Sequence, residues 1–140
     1  MARTSSRKTR GAAMMELAFL SPWIIFLFVG LFDWGFYAYS LITLENATRS
    51  AASWNANHNQ PTNVTDACTI ATSEMQSLVN MGGVTTCTGS PVSVSATQVT
   101  GPDNDPAAMV AVTYTTPRLI PIPGILGYQF TITRTVTIKL

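Results

Sequence analysis

Gly11 and Glu16 are the residues whose types and spacing carry most chemical information in this 140-residue sequence. Glycine has no side chain, so the backbone at Gly11 can enter a narrow cleft that would reject any other residue. Glu16 lies five positions further on, among apolar neighbours, where a carboxylate is costly enough to mark a functional position. The competing reading is that Glu16 snorkels to lipid headgroups and pairs with Arg10 or a lipid. Position alone does not separate the two.

Other reactive side chains are few. Cys68 and Cys87 are the only cysteines. In an oxidising compartment two cysteines are most simply one disulfide. They do not make a four-ligand metal set with the distant His58, which sits in a polar loop and is expected to be solvated. Asp103 and Asp105 stand in Gly101-Pro-Asp-Asn-Asp-Pro106, where Pro and Asp/Asn turn chemistry accounts for them. A calcium site there is the weaker reading, because the spaced ligands and glycine of an EF-hand are missing. No Ser/His/Asp, Cys/His or paired-carboxylate set is present, so the sequence reads as non-enzymatic, with no catalytic, cofactor-binding or metal-ligating residue.

Composition sets the frame for these residues. Only 11% of side chains are charged and 46% are hydrophobic, with a formal net charge of +1. A soluble globular domain carries about 25% charged residues. Arg3, Arg7, Lys8 and Arg10 precede Gly11 with no acid among them, and only Glu16 and Asp33 carry charge from there to Leu44. From Glu45 onward four basic residues face five acidic ones. The near-neutral total and the confinement of the basic run to the first ten residues argue against a nucleic-acid-binding surface. Too little chain remains beyond the apolar segment for a large catalytic fold.

Ala12 to Phe32 is apolar except at Glu16, Ser21 and Pro22. As a helix it would extend ~31 Å, enough to cross a ~30 Å hydrocarbon core. A signal peptide has a shorter apolar stretch ending in a small-residue cleavage site, whereas here the character continues through Trp34, Phe36, Tyr37 and Tyr39. The expected element is a retained membrane helix, single-pass. Basic residues ahead of it keep the N-terminus cytoplasmic and send the remainder across, to the periplasmic or extracellular side. Pro22 frees the Ala18 carbonyl and predicts a kink there. Gly30 and Gly35 are five apart and do not make a helix-pairing motif.

Beyond the span, Leu41, Leu44, Ala47/Thr48 and Ala51/Ala52 recur at three-to-four spacing, and Glu45 and Arg49 stand four apart in the favourable order. The helix is therefore expected to continue as an amphipathic stalk to about Asn55. The expected organisation is a basic leader over 1–11, a transmembrane and stalk helix over 12–55, a linker over 56–64 and an exported domain over 65–140. In that domain a helix is expected over Asp66–Met81, capped by Thr65 and stopped by Gly82-Gly83. Strands are expected at Cys87, over Val92–Val99, over Met109–Tyr114 and over Phe130–Leu140. The fold class is α+β, one helix on a three- to four-stranded antiparallel sheet. Leu119–Tyr128 is too apolar for an ordinary exposed loop; it either completes the core or docks on a partner or the membrane surface.

Arg10-Gly11-Ala12-Ala13-Met14-Met15-Glu16 resembles the processing site of type IV pilin-like proteins, which a membrane aspartic peptidase cuts after the glycine. Together with Glu16-Leu17-Ala18, Pro22, Gly30 and Leu44-Glu45-Asn46-Ala47-Thr48-Arg49-Ser50-Ala51-Ala52, it is similar to the N-terminal signature of the TadE-like family. These are pseudopilins of the tight-adherence, or Flp, pilus system. The resemblance covers about residues 10–52, and more loosely the stretch from Tyr114 to Leu140. Leu17 stands where the cleavage motif usually has an aromatic residue.

The resemblance implies cleavage between Gly11 and Ala12 and a subunit contact in the membrane through Glu16. It implies partners in a prepilin-type peptidase, in other pilins or pseudopilins and in the lipid bilayer, with no nucleic acid and no cofactor. The expected location is a bacterial inner (cytoplasmic) membrane, and the expected role is structure or assembly of a pilus or related secretion machine. The alternative is a single-span membrane-anchored periplasmic or surface binding module outside any pilus. A simple anchor has no need of Gly11 or Glu16 and would never be cut.

Overall fold

Pro22 is the one proline between Ser6 and Asn57, and the strong helix formers Ala and Leu are the commonest residues of the stretch. In the computed structural model, which describes residues 6–118 and 129–140, this stretch is one helix, α1 (Ser6–Asn57). Asn59, with φ 52°, lies just past its end. The chain divides into two compact units, Met1–Phe36 and Tyr37–Leu140. The first unit contains helix alone among its described residues.

In the second unit the elements are the end of α1, α2 (Val64–Glu74), β1 (Val92–Thr100), β2 (Pro106–Thr115) and β3 (Thr131–Lys139). The strands form an antiparallel sheet in the order β1-β2-β3, with Val94 opposite Val112 and Val112 opposite Arg134. The fold class is α+β. Strand alternation places Val92, Val94 and Ala96 of β1 and Val110, Val112 and Tyr114 of β2 in the core. The α1 residues Leu44, Ala47, Ala51 and Ala52 join them, as do Ala67 and Ala71 of α2 and Met75 at its C-terminal cap. The three-to-four stripe expected along the stalk is therefore the buried face of α1.

The second helix differs from expectation at both ends. It begins at Val64, and its cap is Asn63, whose side-chain oxygen accepts the Asp66 N–H at 3.1 Å. Asn63 outcompetes Thr65 because it is also held from behind: its backbone carbonyl accepts the Asn55 side-chain amide at 3.0 Å. The helix ends at Glu74 rather than Met81. Beyond it Leu78 N–H donates to the Met75 carbonyl, Met81 to Leu78 and Val84 to Met81. These three-residue turns keep Met75, Leu78 and Met81 in register on one side, and all three are buried. A 3.6-residue period would rotate the third of them away. Asn80, with φ 69°, then turns the chain before Gly82-Gly83 is reached.

Cys87 is not in a strand. Gly89-Ser90-Pro91 folds the preceding residues back on β1, so pairing is confined to a bridge between Thr88 and Ser93 and a bond from Val94 N–H to the Cys87 carbonyl at 3.1 Å. The other strands match their expected positions, with β2 longer by Pro106–Ala108 at its start. The apolar segment Leu119–Tyr128 lies outside the described residues.

Candidate functional site

Gly11 and Glu16 both lie in α1, so a 100° step per residue puts them ~140° apart around the helix. A Cβ built on Gly11 meets nothing within 4 Å. Packing within the chain therefore does not require glycine here, although glycine costs a helix about 1 kcal/mol relative to alanine. Glu16 is exposed, and nothing among the described residues pairs with it. Its carboxylate is thus presented outward from an apolar helix.

That helix is uncovered. Met14, Leu17, Phe19, Trp23, Leu27 and Phe32 are each more than 60% exposed. It is long and apolar enough to cross a membrane, which is compatible with a single-pass anchor. At Pro22 the lost backbone donor leaves the Ala18 carbonyl without its helical partner, and the Ser21 hydroxyl donates to that carbonyl at 3.2 Å. A side chain of the same turn thus supplies the bond that the proline removed.

In the second unit the Cys68–Cys87 disulfide ties α2 to the segment ahead of β1, with the Cα atoms 5.8 Å apart. Glu45 accepts from Arg49 one turn on (3.1 Å) and lies 3.6 Å from Arg134 of β3. Arg134 occupies the phase of β3 that also holds Ile132, Val136 and Ile138, so it reaches the same side as the core. A charge in an otherwise apolar alternation signals a partner on the facing element, and this is the one sequence cue for the Glu45 contact that periodicity alone does not assign.

Asp103 and Asp105 are both occupied by Lys139. Its Nζ donates to Asp103 at 2.7 Å and to Asp105. Lys139 holds the Asp103 carboxyl below the usual carboxylate range, and the two acids raise Lys139 in turn. The pair therefore clamps the end of β3 to the β1–β2 turn. No group of three or more His, Cys, Asp or Glu able to hold a metal is found among the described residues.

His58 is exposed and stacks on Trp54, with ring centroids 4.1 Å apart, and its Nδ1 lies 2.9 Å from the Trp54 carbonyl. It lies just past the end of α1. The Tyr39 hydroxyl donates to Ser77 Oγ at 2.8 Å, a link that sequence spacing does not reveal.

Residues 11–53 match the family model for TadE-like proteins. The match begins at Gly11, includes Glu16, Pro22 and the pair Glu45 and Arg49, and ends within α1. The chain matches no curated protein and no solved structure.

Proposed function

We propose that this chain, TadE-like over residues 11–53 and thereby linked to the Tad pilus system, is a pseudopilin that serves in the structure or assembly of that pilus or a related secretion machine. One observation carries the reading: a glycine whose Cβ position is open and an exposed glutamate with no partner among the described residues stand at the start of an uncovered apolar helix. They come after a basic leader and lie inside the family match.

In this reading the helix spans the bacterial inner (cytoplasmic) membrane with its basic end in the cytoplasm. A separate prepilin-type peptidase adds water across the Gly11–Ala12 bond, leaving a carboxylate on Gly11 and an α-amine on Ala12. The narrow cleft of such an enzyme favours glycine on the leader side. The cut also removes the residues ahead of Ala12, so that Glu16 falls in the first turns of the shortened helix, where the macrodipole favours a carboxylate. In a bilayer Glu16 then meets the new amine of a neighbouring pilin or pseudopilin, and each charge offsets the other. The chain itself performs no catalysis in this scheme; its work is packing and positioning.

The test is the N-terminal residue of the protein isolated from its native membrane. Ala12 at the N-terminus is the expected result. An intact leader in cells that contain the peptidase would overturn the processing step and favour a membrane-anchored binding module outside any pilus.

A further inference from the structure

The second unit has a defined order along α1. Tyr37 meets Phe130 at 5.6 Å between ring centroids, and Glu45 meets Arg134. Eight helical residues advance ~12 Å and four strand residues ~13 Å, so β3 runs alongside α1 and away from Tyr37. Strand register then places Thr115 and Val92 at the Tyr37 end and Thr100, Pro106 and Lys139 at the other. Helix α2 runs the opposite way to α1, because Asn55 holds Asn63 whereas Tyr39 holds Ser77.

Charge is distributed along the same axis. Residues 37–44, 75–91, 113–118 and 129–132, which converge on the Tyr37 end, contain no carboxylate and one cation, Arg118. The charged residues Asp66, Asp103, Asp105 and Lys139 lie towards the far end, and Glu45, Arg49, Glu74 and Arg134 lie between. Three apolar or aromatic side chains at the Tyr37 end are conspicuously open: Tyr39 at 48%, Val79 at 44% and Phe130 at 50% exposure. Polar groups that could have faced water there are turned inward. Tyr114 donates to the Val79 carbonyl, and Thr116 closes on Phe130 through the bonds Thr116 N–H to Phe130 O (2.9 Å) and Phe130 N–H to Thr116 Oγ1 (3.0 Å).

The geometry points to this end, with Tyr39, Val79, Phe130 and Arg118, resting on the anionic lipid surface of the membrane that holds the preceding apolar helix. The inference rests on the membrane reading above. The occupant is lipid rather than another protein for two reasons. The patch is continuous in sequence with the apolar run, since Tyr37 comes directly after Phe36. Its lack of carboxylates and its single arginine also complement phosphate headgroups, and aromatic rings favour that depth. The exported domain then lies against the bilayer with Thr100 and the Lys139 clamp facing outward, free for partners.

Both cysteines of the sequence are in the disulfide, so an introduced cysteine offers the one thiol. The full chain carrying Val79→Cys or Thr100→Cys is labelled with a fluorophore. Each is reconstituted in phosphatidylglycerol/phosphatidylethanolamine vesicles containing a headgroup-nitroxide lipid. Because ~27 Å of strand separates the two ends, the Val79→Cys label should be quenched about threefold more than the Thr100→Cys label. Adding Arg118→Glu should weaken that difference in anionic vesicles and leave it unchanged in phosphatidylcholine vesicles.

Equal quenching of the two labels, or none, overturns the lipid contact. A Val79→Cys label shielded from lipid when a second subunit is added assigns the face to protein and overturns it as well. Quenching of Trp23 and Trp34 by acyl-chain-brominated lipid reports the span independently. If those tryptophans are quenched and the Val79→Cys label is not, the anchor stands and this contact falls. If neither is quenched, the membrane reading itself has failed and the contact with it.

Discussion

The Tyr114 hydroxyl donates to the Val79 carbonyl at 2.7 Å, joining β2 to the turns beyond α2 across 35 residues of sequence. The tyrosine is buried whereas Val79 is half-exposed, so the bond is formed at the edge of the core and is part-buried. Tyr114→Phe keeps the ring and removes the donor. It should destabilise the second unit by about 1 kcal/mol, which for a unit of this size lowers Tm by roughly 4–8 °C. Thermal melting monitored by near-UV circular dichroism measures this directly.

The same tyrosine sets the alkaline limb of stability. Burial pushes its hydroxyl above the ordinary value of 10.0. The folded chain therefore keeps its proton when the unfolded chain has released it. The contribution is fully present below about pH 10 and is lost as pH rises towards the higher folded value. In Tyr114→Phe that limb should flatten; an identical loss of Tm between about pH 9 and 11 in both proteins would remove the assignment.

The Cys68–Cys87 bond closes a loop of 19 residues' separation. In the chain-entropy description such a loop contributes about 3 kcal/mol, and at this domain size its loss lowers Tm by roughly 12–24 °C. Cys68→Ser, or reduction of the native protein with dithiothreitol, should give a drop of that order. Reduction should leave the Cys68→Ser protein unaffected. An unchanged midpoint on reduction would mean that packing of Ala67, Ala71 and Met75 alone holds α2 in place.

What could be read in the sequence was what local periodicity encodes. The stripe Leu44, Ala47, Ala51 on α1 and the alternation Val110, Val112, Tyr114 on β2 carry their own burial pattern, because a face that repeats at 3.6 or 2 residues has one way to be buried. What escaped was set by partners distant in sequence. Nothing in Asp66–Met81 signals that the helix stops at Glu74, because Met75, Leu78 and Met81 suit a helix locally and take three-residue turns under tertiary packing. Thr65 and Asn63 are both competent caps, and Asn55, eight residues away, decides between them. In the candidate site, the Gly11 and Glu16 spacing was legible; the occupation of Asp103 and Asp105 by Lys139 was not, since it joins residues more than 30 apart.

Lys139 makes Asp103 a pH sensor of modest size. Because Lys139 holds the Asp103 carboxyl below 3.8, the pair stabilises the fold above that value and the gain is lost as pH falls through the lowered folded value. All three groups are exposed, so the effect is small and salt-sensitive. In Lys139→Gln the Asp103 carboxyl should titrate closer to 3.8, as read by carbon-13 NMR of the side-chain carboxylates. A titration midpoint that does not move would show that the clamp is not populated in solution.

Glu45 is shared by Arg49 and Arg134, and all three side chains are more than a third exposed. A double-mutant cycle between Glu45→Ala and Arg134→Ala should therefore give a coupling of about 0.5 kcal/mol that fades at high salt. The pair's consequence is register, since it holds the middle of β3 at a fixed height on α1. Coupling far above ~1 kcal/mol, insensitive to salt, would mean that the pair is desolvated in a way its exposure contradicts.

Glu16 is the residue on which the assembly reading turns. If its carboxylate meets the α-amine of a neighbouring subunit, Glu16→Ala should leave insertion intact, because removing a charge from an apolar helix makes insertion easier. Assembly should fall even so. Glu16→Gln separates charge from hydrogen bonding: the amide keeps an acceptor but cannot neutralise an ammonium group, so it should behave like alanine if charge is the essential feature. The two readouts are carbonate-resistant membrane association and the yield of assembled pili. Snorkelling to headgroups predicts the same insertion but normal piliation in both variants, because a lipid-facing carboxylate has no subunit partner to lose. Gly11→Ala adds the upstream control. It should stabilise the helix slightly, since a Cβ there meets nothing, and yet block removal of the leader if the peptidase cleft requires glycine.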